Sequence, residues 1–198
     1  MSLRNFRKDH CVTLKIYTKI GDKGETMLAN GTRVKKSSLR INTYGSVDEL
    51  NAHVGLLRDF LMQDKNPPAL ISDITARLFR LQEELFTIGA ELALAPQKNE
   101  TPLLTSAQLE KEIDEFWAQV PPLRNFILPG GHLANSQAHI CRVVCRRSER
   151  LLWELSEIEA VRPTLLVFFN RLSDWFFVIC RIIHHAYNIE ELIWKGRP

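Results

Sequence analysis

The segment Tyr17-Thr18-Lys19-Ile20-Gly21-Asp22-Lys23-Gly24-Glu25-Thr26, followed by Gly31, Arg33, Lys35 and Lys36, has the composition of an anion cradle. Glycines at 21 and 24 let backbone N–H groups converge on a phosphate, the hydroxyls of Thr18 and Thr26 add hydrogen bonds, and Lys19, Lys23 and Lys36 bring charge. No Gly-Lys-Ser/Thr follows at the spacing of the standard P-loop. A solvated Gly-Asp-Lys-Gly turn is the competing reading. A second set, Arg142, Arg146, Glu149 and Trp153, steps by helical spacing and shares one face, with His139 at its head and Arg147 and Arg150 beside it. Charges on such a stripe need solvent, a polyanion or an opposing carboxylate, because a hydrocarbon core does not accept them unpaired.

A third set is Asn170, Arg171, Asp174 and Arg181, set within the apolar runs Leu165 to Phe169 and Trp175 to Cys180. Helical spacing lines up Asn170, Asp174 and Arg181, which suggests a polar pocket among packed helices; a buried structural ion pair, for instance Asp174 with an arginine of the preceding helix, is the alternative. Asp48 and Glu49 are read as lying close to a helix N-terminus, where the macrodipole favours them. Asp48 could equally pair with a distant arginine or help to hold Mg²⁺ near a phosphate chain. The loop Phe126-Ile127-Leu128-Pro129-Gly130-Gly131 would suit a flat apolar ligand or simply plug the end of a bundle. Cys11, Cys141, Cys145 and Cys180 lie in apolar surroundings and read as reduced, buried thiols; His139, Cys141 and Cys145 lack a fourth zinc ligand at a usual spacing.

These residues need a scaffold, and the pattern gives one. The 198 residues hold 45% hydrophobic and 25% charged side chains, an ordinary globular balance that excludes disorder and fibre and fits a single domain. Val47, Leu50, Val54, Leu57 and Leu61 mark a first helix over 43–62. Leu70, Ile74, Leu78, Leu81, Leu85, Ile88 and Leu92 mark a second of about 25 residues. Thr105 and Gln108 form a capping-box start for a short third helix carrying Leu109, Ile113, Phe116 and Val120, which Pro121 ends. A fourth is read over 133–158, and a fifth from Pro163 to about Asn188, with Pro163 in its first turn. The expected fold is therefore all-α, an antiparallel five-helix bundle (43–190) behind an ordered N-terminal phosphate-binding segment (1–42) that forms a loop or short hairpin, with Ile16-Tyr17-Thr18 its one strand-like patch. No apolar run approaches the roughly 20 residues of a membrane span, and the charged first fifteen residues do not read as a secretory signal, so a cytoplasmic protein is expected. A net charge of +3 is too small to argue for nucleic acid by itself.

Taken together, Tyr17-Thr18-Lys19-x-Gly21-Asp22-Lys23-Gly24, Tyr44 to Ala52, Phe126 to Gly131, Cys145-Arg146-Arg147-Ser148-Glu149-Arg150 and Asn170-Arg171-Leu172-Ser173-Asp174 resemble the PduO-type ATP:cob(I)alamin adenosyltransferases, five motifs in the family's order from about Lys15 to Arg181. The resemblance implies a homotrimer with each site between subunits. It also implies a reaction in which cob(I)alamin attacks the 5′ carbon of Mg-ATP and triphosphate leaves. By this resemblance Thr18, Lys19, Gly21, Asp22, Gly24, Thr26 and Lys36 wrap the phosphates, while Arg146, Glu149 and Asn170 match nucleotide and Mg²⁺ positions. Asp48 and Arg142 match a carboxylate and an arginine that meet across the subunit boundary. Phe126 matches the aromatic residue that closes the lower face of the corrin, and Asp174 matches a polar position near it. The implied ligands are ATP, Mg²⁺ and cobalamin as co-substrate, and the implied partners are a reductase or a cobalamin-dependent enzyme, with no nucleic acid and no membrane. Ile20 departs from the family, standing where many relatives carry Thr. The other reading is a non-catalytic helical bundle that binds nucleic acid through Arg142, Arg146, Arg147 and Arg150; a di-iron carboxylate bundle is excluded because no Glu-x-x-His motif occurs.

Overall fold

Ser38 holds extended backbone ahead of Leu39, and from there helix α1 (Leu39–Met62) buries Val47, Leu50, Val54, Leu57 and Leu61 along one stripe. The computed structural model describes Tyr17, residues 19–94 and residues 104–196. Helix α2 (Ala69–Leu94) buries the seven apolar residues that its sequence repeats, from Ile71 and Ile74 to Leu92. The expected α2 stripe is shifted by one residue at its start: Leu70 is only partly buried. Helix α3 (Ser106–Trp117) opens with the full capping box, Thr105 Oγ1 accepting from the Gln108 N–H and Gln108 Oε1 from the Thr105 N–H. Helices α4 (Leu133–Ser156) and α5 (Pro163–Ala186) complete the bundle, with Pro163 in the first turn of α5.

Among the described residues there are thus five helices. Helix α1 packs against α2 and α4, α4 against α5, and α5 against α3. Ser148 Oγ donates to Ser46 O across 3.1 Å, so small residues let α1 and α4 approach closely. Buried Arg40 joins three helix ends, donating from Nη1 to Leu92 O (2.8 Å) and from Nε to Glu159 (2.6 Å). On the far side Glu112 accepts from Trp175 Nε1 (2.9 Å) and pairs with Arg77 and Arg80, tying α3 to α5 and α2.

Two short ribbons sit at opposite ends. Strands β1 (Glu25–Met27) and β2 (Arg33–Lys35) form an antiparallel hairpin in the register Thr26 to Val34. It docks on the end of α2, where the Ala29 N–H donates to Ala93 O at 3.0 Å and Leu28 is buried. Strands β3 (Ile127–Leu128) and β4 (Leu192–Ile193) pair antiparallel at the other end.

Three expectations about the elements need correction. Helix α1 begins four residues before 43, because its first turns bury Arg40, Thr43 and Ser46 rather than an apolar stripe. Asp48 and Glu49 therefore stand in the third turn, where the macrodipole has faded, and the capping explanation for them is lost. The strand-like patch is not the strand: Tyr17 is exposed and outside any strand, Ile16 and Thr18 lie outside the described residues, and the hairpin is built from 25–27 and 33–35. At their C-terminal ends α3, α4 and α5 each stop two to three residues earlier than read, so Val120 follows α3 rather than belonging to it.

Candidate functional site

The phosphate-type loop is a wound turn closed by its own backbone. Residues Ile20–Lys23 form a 3₁₀ turn between two left-handed residues, Lys19 (φ 60°) and Gly24 (φ 82°). Gly24 accepts no side chain readily there, while Lys19 adopts a conformation that costs a non-glycine residue about a kcal/mol. The Asp22 and Gly24 N–H groups bond back to Lys19 O and Gly21 O at 3.3 and 3.2 Å. Lys36, just past the returning strand, lays its ammonium over the turn: a Cβ on Gly21 would come 3.1 Å from Lys36 Nζ. The Lys36 N–H in turn donates to Gly24 O at 2.8 Å. Sequence separation of fifteen residues is thereby closed into one cationic lip carrying Lys19, Gly21, Asp22, Gly24 and Lys36, with Thr26 half-buried on β1 beside it. Thr18 lies outside the described residues.

The second group lies on the outer seam of α4 and α5. Asn170 Nδ2 donates to Glu149 Oε1 at 2.9 Å, and Arg146 is exposed one turn earlier. Burial, first of all, pushes the nearby Cys145 thiol well up, and the charges of Glu149, Arg146 and Asp174 act on it as lesser influences. Two neighbouring cations are neutralised, Arg147 by Glu49 and Arg171 by Asp174 (2.6 Å) and Glu110 (3.0 Å), while Arg142 and Arg150 make no ion pair among the described residues. Arg146 has no ion-pair partner among the described residues. The α4 arginines are therefore not a uniform basic stripe, and the surface a nucleic-acid reading needs is interrupted by Glu49 and by exposed Ile140, Val143 and Trp153.

Asn170, Asp174 and Arg181 do not share a pocket. Asn170 and Asp174 are exposed, whereas Arg181 is buried and held by Glu191 (2.6 Å) and Pro121 O (2.7 Å), over the Trp117 ring. The angular register was sound, but the C-terminal segment and the loop after α3 cover only the last turns of α5. Nor does Asp174 pair with α4; its partner is Arg171 on its own helix.

Asp48 is exposed and lines a groove of about 270 Å³ between α1 and α2, with Tyr44, Asn51, Phe86 and Ala90. Arg142 is half-buried on α4, and its Nε is inaccessible yet has no hydrogen-bond partner. Beside it His139 is 5% exposed with neither ring nitrogen bonded, and burial, Arg142 and His184 together lower its pKa to about 4. Phe126 stands 77% exposed at the other end of the bundle, edge-on to Trp194 with ring centres 6.1 Å apart. Trp194 was missed in the sequence; it reaches Phe126 only because β4 returns to β3, and its N–H donates to Phe126 O at 2.8 Å.

Cys141, Cys145 and Cys180 are buried free thiols, all raised in pKa chiefly by burial, Cys141 to about 12; Cys11 lies outside the described residues. Among the described residues no group of three or more His, Cys, Asp or Glu could by itself hold a metal ion, and no helix is long and apolar enough to cross a membrane. A cation carried in on substrate phosphates needs less: one carboxylate such as Glu149, its other oxygen fixed by Asn170, fits the usual Mg²⁺ arrangement.

The family model for cobalamin adenosyltransferase matches residues 16–183. A cobalamin adenosyltransferase of Cupriavidus metallidurans is 42% identical over 188 residues, covering 91% of this chain and 94% of its own. A corrinoid adenosyltransferase of Bacillus subtilis is 41% identical over 184 residues, covering 92% and 93%. The fold matches a solved variant of the PduO-type ATP:corrinoid adenosyltransferase from Lactobacillus reuteri, complexed with cobalamin and ATP, with a TM-score of 0.83, 32% identity, and coverage of 92% of this chain and 100% of that one.

Proposed function

The chain belongs to the cobalamin adenosyltransferase family, and on that premise we propose that it transfers the 5′-deoxyadenosyl group of ATP to the cobalt of a reduced corrinoid. The C5′–O bond breaks with its electron pair leaving on triphosphate, and the Co(I) pair forms the new cobalt–carbon bond. Cobalt is the nucleophile, so no activated Ser, Cys or His is required; the protein orients the reactants and offsets charge.

The observation that carries this reading is the cationic lip, where Lys36 Nζ overlies Gly21 beside Lys19, together with an exposed Arg146 that makes no ion pair among the described residues and stands one turn from the Glu149–Asn170 contact. In our assignment Thr18, Lys19, Gly21, Asp22, Gly24, Thr26 and Lys36 cradle the phosphates. Arg146 meets the charge that develops on the leaving triphosphate, where each charge-assisted hydrogen bond is worth roughly 1.5–3 kcal/mol. Glu149, oriented by Asn170, would hold Mg²⁺, whose charge screens the phosphate chain when bound. Phe126 covers the lower face of the corrin and excludes the axial base, which makes Co(II) easier to reduce, and Asp174 lies beside the same ligand. The electron comes from a reductase.

The lip belongs to the hairpin that docks on the end of α2, whereas Arg146 stands on the α4–α5 seam, and among the described residues no hydrogen bond or ion pair joins them, so we read the two as halves of a site that one subunit does not complete. We assign their union to a homotrimer in which Asp48 of one subunit meets Arg142 of the next. The unpartnered Arg142 Nε and the exposed Asp48 support this, as does the apolar lining of the Asp48 groove. Three buried free thiols suit a reducing cytoplasm. The deciding experiment mixes the protein with ATP, Mg²⁺ and chemically reduced cobalamin and follows the absorbance of adenosylcobalamin together with triphosphate release. One triphosphate per adenosylcobalamin is expected; orthophosphate or no cobalt alkylation would end the proposal.

A further inference from the structure

The loop that carries Phe126 is held by two buried polar side chains, Asn135 and His184. Gly130 is gripped on both sides of its backbone. Its N–H donates to Asn135 Oδ1 at 3.3 Å, and its carbonyl lies 2.9 Å from His184 Nε2. A carbonyl can only accept, so Nε2 carries the proton and His184 Nδ1 is left bare. Both side chains are sealed in the core, Asn135 being 1% and His184 2% exposed. Asn135 is itself fixed, donating from Nδ2 to Cys180 O at 2.8 Å, so the clamp stands on α4 and α5 rather than on a loop.

The backbone around the clamp has little freedom to substitute other contacts. Gly130 and Gly131 take φ values of 140° and 82°, and a Cβ on Gly131 would come 3.1 Å from His184 Nε2. His184 also starts the return strap: its carbonyl accepts from the Ile189 N–H at 2.8 Å. The strap is then fixed by the Arg181–Glu191 pair, forms β4 and delivers Trp194 to Phe126. The ring and the backbone of one residue therefore hold both chains that meet at the exposed aromatic pair.

We propose that His184 and Asn135 are positioning residues for Phe126, clamping the Gly130 peptide so that the Phe126 ring is presented rigidly to the corrin. The proposal rests on the reading of Phe126 as the corrin-covering residue. Burial explains the choice of residue types. A hydrogen bond from a buried side chain to the half-buried Gly130 peptide is partly shielded from competing water, and losing the peptide contact strands a polar group in the core.

The test uses the full chain with ATP and cob(II)alamin, comparing wild type, His184→Leu, His184→Gln, Asn135→Ser and Phe126→Ala. Gln can place an amide N–H near the position of Nε2, whereas Leu fills the space with no donor. Two readouts are taken: hydrogen exchange of peptides spanning 126–131 without any ligand, and the absorption of four-coordinate Co(II) once both substrates are added. His184→Leu should speed exchange and lower the four-coordinate population by about three- to tenfold each, as expected for one lost hydrogen bond, and His184→Gln should restore most of both. Asn135→Ser supplies the same measurement from the N–H side should the Leu variant not fold. Unchanged exchange in folded His184→Leu or Asn135→Ser overturns the clamp. Faster exchange with an undiminished four-coordinate signal, while Phe126→Ala loses that signal, overturns its positioning role. An undiminished signal in Phe126→Ala instead sinks the reading of Phe126, and with it the purpose given to the clamp.

Discussion

Arg146 and Arg147 are adjacent in the chain and opposite in circumstance, one without an ion-pair partner among the described residues and the other neutralised by Glu49. Both are exposed, so neither contributes much to folding. If Arg146 meets charge that appears only in the transition state, Arg146→Ala should lower kcat by about 10 to 1,000-fold with an unchanged melting temperature, at 1.36 kcal/mol per factor of ten. Arg147→Ala should cost less than about threefold in the same assay. Equal losses would mean that general positive charge, not Arg146, is what the site uses. His139 makes a second prediction, on stability. Its folded pKa of about 4 lies below the ordinary 6.5, so between those values the unfolded chain binds more protons and stability falls as the pH drops. The loss should approach roughly 3 kcal/mol by pH 4, and His139→Phe should be spared it; parallel melting curves for the two proteins from pH 7 to 4 would contradict this. At this scale the sequence showed which residues share a helix face but not what covers that face. Arg181 keeps register with Asn170 and Asp174, yet Glu191 and Pro121 bury it, and nothing local to α5 announces them.

Elements were legible where burial repeats with the helical period, as in α2, whose buried residues run in steps of three and four from Ile71 to Leu92. They were illegible where polar side chains do the packing, as with Arg40, Thr43 and Ser46 at the start of α1. Strands of two or three residues were illegible too, since they are too short to alternate. The pairing of Leu128 with Leu192 joins segments that no local pattern connects, and the Phe126–Trp194 contact depends on it. The candidate lip was legible in type, since Gly21, Gly24 and Lys36 stand together, while its docking on the end of α2 was not. The Phe126 loop gives the prediction proper to this scale. Phe126 is exposed and supports no core, so Phe126→Ala should retain stability and ATP binding. It should slow reduction of Co(II) at least about tenfold more than alkylation by preformed Co(I), since only the first step needs the axial base removed. Stopped-flow comparison of the two steps decides it, and equal slowing would reject the role.

The whole molecule offers two unlike surfaces that the proposed trimer would join. One is the α1–α2 groove with Asp48 at its edge and Phe86 73% exposed; the other is the outer stripe of α4, where Ile140, Val143 and Trp153 stand among arginines, with Arg142 half-buried beside them. Association of two different patches repeats head to tail and closes into a ring when the rotation allows, whereas self-complementary patches give a dimer. If the proposed trimer forms through these surfaces, Phe86→Glu would put a charge into the groove and should yield monomers, with turnover per subunit falling in step, as read by light scattering and the alkylation assay over a range of protein concentrations. Asp48 and Arg142 carry the sharper test. If they meet across the boundary, Asp48→Ala strands the arginine and Arg142→Ala strands the carboxylate, so each single change costs most of the pair and the double change costs no more than either. If the two never touch, their effects on assembly and turnover add within about 0.5 kcal/mol, and the head-to-tail geometry drawn from this one chain would have to be abandoned.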